Sequence, residues 1–472
     1  PAVSETDNNE RPRRRRILIL EPAIILIFYA WNLTGAIFTN QIVYQTCLVV
    51  LGYNITNCSK LGSENETEET EKLEQETQPY VANILMARSL IEAIIPTACS
   101  LFIGPWSDKF GRKPIILSAF CGYFCSYLIM TIISYISIIY QINPWFYAFA
   151  FIPSSFSGGF GILITGVFCY VTDVTNEENR AIKMGILEAA IFIGLILGSL
   201  SSSFILKLTN TTTVFGIAAI AILLGIVYVI FFVEESVEKN EIAEKTSKLR
   251  ELFKMELVYD MFRTCFKRRE NYDRLIIWLS IGALGASIFA MEGNATVFFL
   301  FVRKKFEWTV KEYSLFDSAS ILVMIFGSFI GIFCIKKYLG LSEALLAIIA
   351  YLSYSGDSAL KAIASDPRYL YVAVSFSLLK GVAGPMSRAV ISNTAPNTDI
   401  GKIYSLTTSI ETISPLIAAP LYTLIYKQTF DTDFPGAFNL VSSLIFALCA
   451  LSMLCVYIVQ KRHVPASYVS IN

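Results

Sequence analysis

Eight ionisable side chains stand in stretches that are otherwise apolar: Arg88, Glu92, Glu188, Glu292, Asp317, Lys380, Arg388 and Glu411. A charge inside hydrocarbon costs on the order of 2.5–3.5 kcal/mol, so each needs a partner, a cavity or a route to the polar boundary. Arg88 and Glu92 are spaced i, i+4 and can neutralise each other on one helix face. Glu292, Asp317 and Lys380 lie nearer the ends of their stretches, where snorkelling competes with a role in a site. Glu188, in MGILEAAIFIGLILGS, has apolar neighbours, and a carboxyl there sheds the cost of its charge by taking up a proton. Arg388, in GPMSRAVIS, is a permanent cation whose planar fork can hold an anion by paired hydrogen bonds. Either these two serve proton carriage and anion binding, with Glu411 and Glu292 beside them, or they form an interhelical salt bridge.

Other chemistry is poorly supplied. The single histidine, His463, falls among the last residues, which removes histidine metal sites, Ser-His-Asp triads and Cys-His pairs. Ten cysteines are scattered without a CxxC pairing and read as small core residues. No Gly-x4-Gly-Lys-Ser/Thr loop is present, so ATP-driven pumping is not expected, and no nucleophile and base can be assembled from these residues, so an enzyme is not expected either. No cofactor or metal is expected either, and a proton gradient is the available driving force. The 38 basic and 38 acidic residues balance, which points to no nucleic-acid partner.

The elements that position these residues must be membrane helices. The 472 residues are 54% hydrophobic and 16% charged, with a mean hydropathy of +0.55, where soluble domains carry about 25% charged residues. A helix needs about 20 apolar residues to cross a bilayer. Twelve such stretches run at 17–44, 81–103, 115–140, 145–172, 181–207, 212–233, 272–300, 314–335, 342–364, 368–392, 401–427 and 434–460. The expected fold is all-α and polytopic, with two pseudo-symmetric six-helix bundles at 17–233 and 272–460. A tail at 1–16, a charged linker at 234–271 and a tail at 461–472 complete the chain. Leu249, Leu252, Phe253, Leu257 and Met261 space the linker as an amphipathic helix, either a solvated connector or a partner-binding surface. The first residues lack the apolar core of a cleaved signal peptide.

Lys and Arg bias sets the orientation. Arg11 and Arg13 to Arg16, then Lys109, Arg112 and Lys113, then Lys336 and Lys337, then Lys461 and Arg462 place both termini in the cytoplasm. Arg303, Lys304, Lys305 and Lys311 argue the other way, since they fall outside between helices seven and eight. The outer loop 46–79 carries sequons at Asn54, Asn57 and Asn65 amid glutamates from Glu64 to Glu76. Glycans require such a lumenal or extracellular loop. Asn32 and Asn294 also head sequons but lie within spans.

The most specific motif is GPWSDKFGRKP, Gly104 to Pro114, on the cytoplasmic side between helices two and three. Gly104, Asp108, Gly111, Arg112 and Lys113 fit the pattern G-x-x-x-D-x-x-G-R-R/K. Glycine permits the tight turn, and a carboxylate there accepts from the next helix's first amides and from a nearby arginine. Asp173 and Arg180, after helix four, fall on the same side and can extend that cluster.

This loop resembles that of the major facilitator superfamily, in which it latches the cytoplasmic gate. Together with the arginine run entering ILILEPAIILI, ILEA on helix five and SRAVISNTAPNTDIGKIYSLTTSIET, it resembles the proton-coupled folate transporter family, solute carrier family 46. The resemblance covers about residues 16 to 460. It implies proton-coupled symport of a small organic anion by alternating access, with Glu188 and Arg388 in proton coupling and substrate binding. The family's substrates include folates, muropeptides, steroid conjugates and lysosomal catabolites. The chain departs from the folate transporter in lacking a histidine on helix seven. It also lacks the cysteine between helices seven and eight that, in the family, bonds to one in the first outer loop, although Cys58 is present. These departures imply a divergent paralogue of insect type. A receptor or scaffold that keeps the fold without transport is the alternative. Tyr468-Val-Ser-Ile471 reads either as a sorting signal for an adaptor, directing the protein from plasma membrane to endolysosome, or as a chance match.

Overall fold

A computed structural model describes residues 20–61, 68–175, 177–236, 272–395 and 400–463, with isolated positions at 263, 266, 267 and 269. Among the described residues every regular element is helical. The first half contains α1 (Glu21–Gln45), α2 (Glu68–Phe110), α3 (Lys113–Ile139), α4 (145–174, broken into three segments), α5 (Glu177–Leu208) and α6 (Thr211–Phe232). The second half contains α7 (Asp273–Phe306), α8 (Val310–Phe329, continuing through a π turn at Ile330–Lys336) and α9 (Glu343–Ile363). It ends with α10 (Pro367–Thr394), α11 (Ile400–Thr429) and α12 (Ala437–His463). Nine of these twelve are long and apolar enough to cross a membrane on composition alone. The other three, α2, α9 and α11, cover the remaining expected stretches. The chain is a multi-pass membrane protein.

Local chemistry sets the helix starts. Pro22 and Pro114 sit in the first turns of α1 and α3, where the missing N–H is no loss. Asn210, Ser342 and Asp366 cap α6, α9 and α10 by accepting from Thr213, Leu345 and Arg368 amides, and Thr309 and Glu312 form a capping box at α8. The centre of α10 tightens into a 3₁₀ stretch at Ser377–Val382. Such backbone is tolerated at membrane depth when protein surrounds it.

Two expectations are corrected. The outer loop is shorter than 46–79, because Thr46–Val50 prolongs α1 as a π turn and α2 already begins at Glu68. The segment ETEKLEQETQ is charged but rich in good helix formers, so it extends α2 instead of looping. Cys58 does have a bonding partner: it is joined to Cys47, 11 residues earlier. Both therefore depart from the expectation that the cysteines are small core residues: the end of α1 is followed by the short helix Ile55–Cys58, which brings the two sulfurs together, a turn that local hydropathy does not register.

Within the first half α1 packs on α5 and α6, and within the second α9 packs on α12 and α7 on α11. The halves meet along two seams, α5 with α8 and α2 with α7 and α11. Small residues allow the closest approaches. A Cβ on Gly194 of α5 would lie 2.6 Å from the Ile25 carbonyl oxygen, and one on Gly327 of α8 would run into that of Leu378 on α10. Gly327→Ala must therefore push α8 and α10 apart, with an overpacking cost of about 1–3 kcal/mol or more. A lower melting temperature of the purified variant checks this; an unchanged one refutes the packing.

Candidate functional site

At the end of the bundle that carries the GRK motif, Gly111 adopts φ +111° and leads from α2 into α3. A Cβ there would collide with the Glu235 carboxylate, so glycine is needed for both its conformation and its size. Glu235 accepts from the Arg112 amide at 2.8 Å and the Lys113 amide at 3.4 Å. Arg112 Nε donates to Asp173 at 3.0 Å, the Ser236 hydroxyl donates to the same oxygen at 3.1 Å, and Lys113 Nζ donates to the Ile230 carbonyl. Asp173 thus meets the arginine of the motif. The carboxylate seen on the first amides of α3 is Glu235, which the sequence reading had left in the linker. The backbones of Gly104 and Asp108 lie in α2; the side chains of Asp108 and Arg180 lie outside those described.

In the middle of the molecule, Arg388 of α10 donates through Nη2 to Glu411 Oε1 of α11 at 2.6 Å. Arg388 is 42% exposed and Glu411 15%, so the expected lone cation is instead held by one carboxylate and open on its other side. The Tyr404 hydroxyl donates to the Arg388 carbonyl at 2.9 Å and ties α11 to α10 at that level. Glu188 of α5, in the other half, is exposed, and its charge acts on that of Arg388. Arg88 and Glu92 form their pair at 3.0 Å, with the guanidinium over the Phe38 and Phe151 rings at 4.5 and 3.9 Å. Glu292 lies 14 residues before the end of α7, about 21 Å along the axis. It is therefore not near a span end, and it feels the charge of Glu92 across the seam. Lys380 also sits mid-helix, in the 3₁₀ stretch of α10.

The opposite end, which bears the sequons, holds the contacts that sequence reasoning missed. Arg303 of α7 is 2% exposed and pairs with Glu74 of α2, 3% exposed, at 2.7 Å. Arg303 Nη1 also donates to Asn40 of α1. Gln78 donates to Glu74 at 2.9 Å and to the Leu300 carbonyl, and accepts from the Tyr426 hydroxyl of α11 at 2.7 Å. Of the four basic residues that run against the positive-inside pattern, Arg303 does so because it is buried against a carboxylate and not displayed in a loop. Along the other seam, Asp317 of α8 accepts from Asn32 of α1 and Ser199 of α5, both at 3.0 Å. It is bonded across the halves, not snorkelling. The only hint in the sequence was an arginine on the wrong side facing a glutamate-rich segment.

Asn54 is exposed and Asn57 partly so, whereas Asn32 and Asn294 bond to Asp317 and Asn439. Asn65, the linker helix positions from Leu249 to Met261, the arginines of the first tail, and Tyr468 and Ile471 lie outside the described residues.

Removing one partner of a buried ion pair costs about 3–5 kcal/mol, because the other charge is left behind. Glu74→Gln and Arg303→Met are therefore expected to loosen the sequon end. A cysteine placed at Ala82, buried one turn beyond Gln78, should react several-fold faster with an impermeant thiol reagent in these variants; equal rates would refute the latch.

The profile of the Major Facilitator Superfamily matches residues 75–419. The probable peptidoglycan muropeptide transporter SLC46 of Drosophila melanogaster is 32% identical over 93% of this chain and 85% of its own length. The human lysosomal proton-coupled steroid conjugate and bile acid symporter SLC46A3 is 26% identical over 93% of this chain and 94% of its own. Among solved structures, the human organic anion transporter MFSD10 superposes with a TM-score of 0.60 at 13% identity, covering 95% of this chain and all of that one, a likeness of fold. With its two six-helix halves, its GRK turn and this similarity over nearly its whole length, the chain belongs to the Major Facilitator Superfamily and, within it, to solute carrier family 46.

Proposed function

We propose that this protein is a secondary transporter that carries a small organic anion together with a proton by alternating access. The observation that carries the reading is Arg388, fixed by Glu411 on one side and 42% exposed, with the charge of Glu188 in the opposite half acting on it. The guanidinium has five N–H donors, and its described ion pair uses one, so others remain for a carboxylate, sulfate or phosphate group. Ionised Glu188 repels such a guest. Once Glu188 takes up a proton the repulsion disappears, and proton and anion favour each other's binding. That mutual preference is what symport needs.

The Arg303–Glu74 pair closes the sequon end, and loading from that side requires both it and the Asp317 contacts to part. In our reading the sequon end is lumenal or extracellular, the GRK end and both termini are cytoplasmic, and Asn54 carries a glycan. The membrane is the plasma membrane or an endolysosomal one, with the Tyr468–Ile471 tail serving a sorting adaptor. Two relatives named for muropeptides and for steroid conjugates and bile acids support an anionic substrate of that size.

The test is flux of labelled folate, a muropeptide and a sulfated steroid into cells displaying the Tyr468→Ala protein, at acidic and neutral pH. Acid-stimulated uptake of at least one anion is expected, lost in Arg388→Ala. Glu188→Gln should flatten the pH dependence while substrate exchange continues. Uptake that persists unchanged in both variants at equal surface level would sink the assignment, and no uptake by glycosylated surface protein would favour a receptor or scaffold.

A further inference from the structure

Within the second half, Asp317, Asp357, Lys361 and Lys380 feel one another's charge, yet only two of them are paired. Lys361 of α9 donates to Asp357 Oδ2, one turn earlier on the same helix, at 2.8 Å. The other oxygen, Asp357 Oδ1, is buried and accepts no hydrogen bond among the described residues, on a residue only 4% exposed. Lys380 is the reverse case. Its ammonium has no hydrogen bond or ion pair among the described residues and lies 6.0 Å from the Tyr354 ring centroid of α9.

Asp317 links this cluster to the first half. It takes both of its hydrogen bonds, from Asn32 and Ser199, on Oδ2, and Oδ1 has none among the described residues. When α8 parts from α1 and α5, both donors are lost together, and a carboxylate left without partners is costly. Lys361 is placed to replace them, since its ammonium lies 5.7 Å from the ring centroid of Phe316, the neighbour of Asp317 in the chain. Its departure would strand Asp357, whose unused oxygen then has Lys380 to receive. Lys380 stands on the 3₁₀ stretch of α10, which packs against both α8 and α9. A 3₁₀ stretch in mid-helix often marks a hinge.

We propose that Lys361 and Lys380 are positioning residues for the opening step: as the sequon end parts, Lys361 passes from Asp357 to Asp317 and Lys380 takes its place on Asp357. The open form then holds two ion pairs, Asp317–Lys361 and Asp357–Lys380, with no charge left over. The inference rests on the alternating-access part of the carrier reading and on nothing about the substrate.

The experiment follows the reaction of Ala82→Cys with an impermeant thiol reagent, without substrate and normalised to surface protein. Lys380→Met breaks no hydrogen bond or ion pair described in the closed form, yet it should slow labelling at least about tenfold. Lys380→Arg should stay within about threefold of wild type. Lys361→Met should slow labelling similarly, because opening strands Asp317. Adding Asp317→Asn to Lys361→Met should restore the rate, and adding Asp357→Asn should not. A fixed Lys361–Asp357 pair predicts the opposite, with rescue by Asp357→Asn alone. That pattern, or an unchanged rate in Lys380→Met, would overturn the relay. Should Lys361→Met fail to reach the surface, the Lys380 variants decide by themselves. If Ala82→Cys never reacts, even with Glu74→Gln, the end does not open and the carrier reading itself fails; if it reacts and these variants change nothing, only the relay fails.

Discussion

Hydrocarbon offers no water to a buried charge, and that constraint organises this molecule. Every ionisable group at membrane depth must meet a partner, a ring face or the central space. Arg303 has Glu74, Arg388 has Glu411, and Arg88 has Glu92 beneath two aromatic faces. Because Arg303 and Glu74 come from different halves, satisfying their charges also decides how the halves sit. A soluble protein could leave both in water; here the closed arrangement supplies the solvation.

The two seams divide the labour. Along α2, α7 and α11, an ion pair and an amide–phenol chain join three helices in a nearly dry setting, where charge-assisted bonds are strong. Along α5 and α8, Asp317 and a set of serines do so with shorter side chains, including a Ser202–Ser314 contact at 2.7 Å. The GRK cluster at the other end ties α2, α3 and α4 to the segment after α6. Such a cluster stiffens the first half as a unit, which rigid-body rocking requires.

Much of this was legible before any fold was known. Twelve apolar stretches gave the helix count, and the GRK turn with its glycine gave the superfamily. The i, i+4 spacing gave the Arg88–Glu92 pair. Glu188 and Arg388 stood out because charge in an apolar run is rare. The reading failed where polarity was mistaken for exposure. Glu74 sits in a run of glutamates, and Arg303 in a run of basic residues, so both looked like loop charges. Glu235 lies in the stretch read as a linker from residue 234 on.

By itself, the sequence determined the solvent of the protein, the number of crossings and the residue types able to carry a proton or hold an anion, because these depend on local composition and on periods of a few residues. Which charges meet depended on the tertiary structure. Arg303 and Glu74 are 229 positions apart, and Asn32 and Asp317 are 285, distances at which no local pattern signals contact. Trp31 and Phe160 likewise become neighbours only when α1 and α4 set them side by side. Helix propensity and hydropathy are properties of neighbours in the chain; the pairing of charges across two halves is a property of how those halves close.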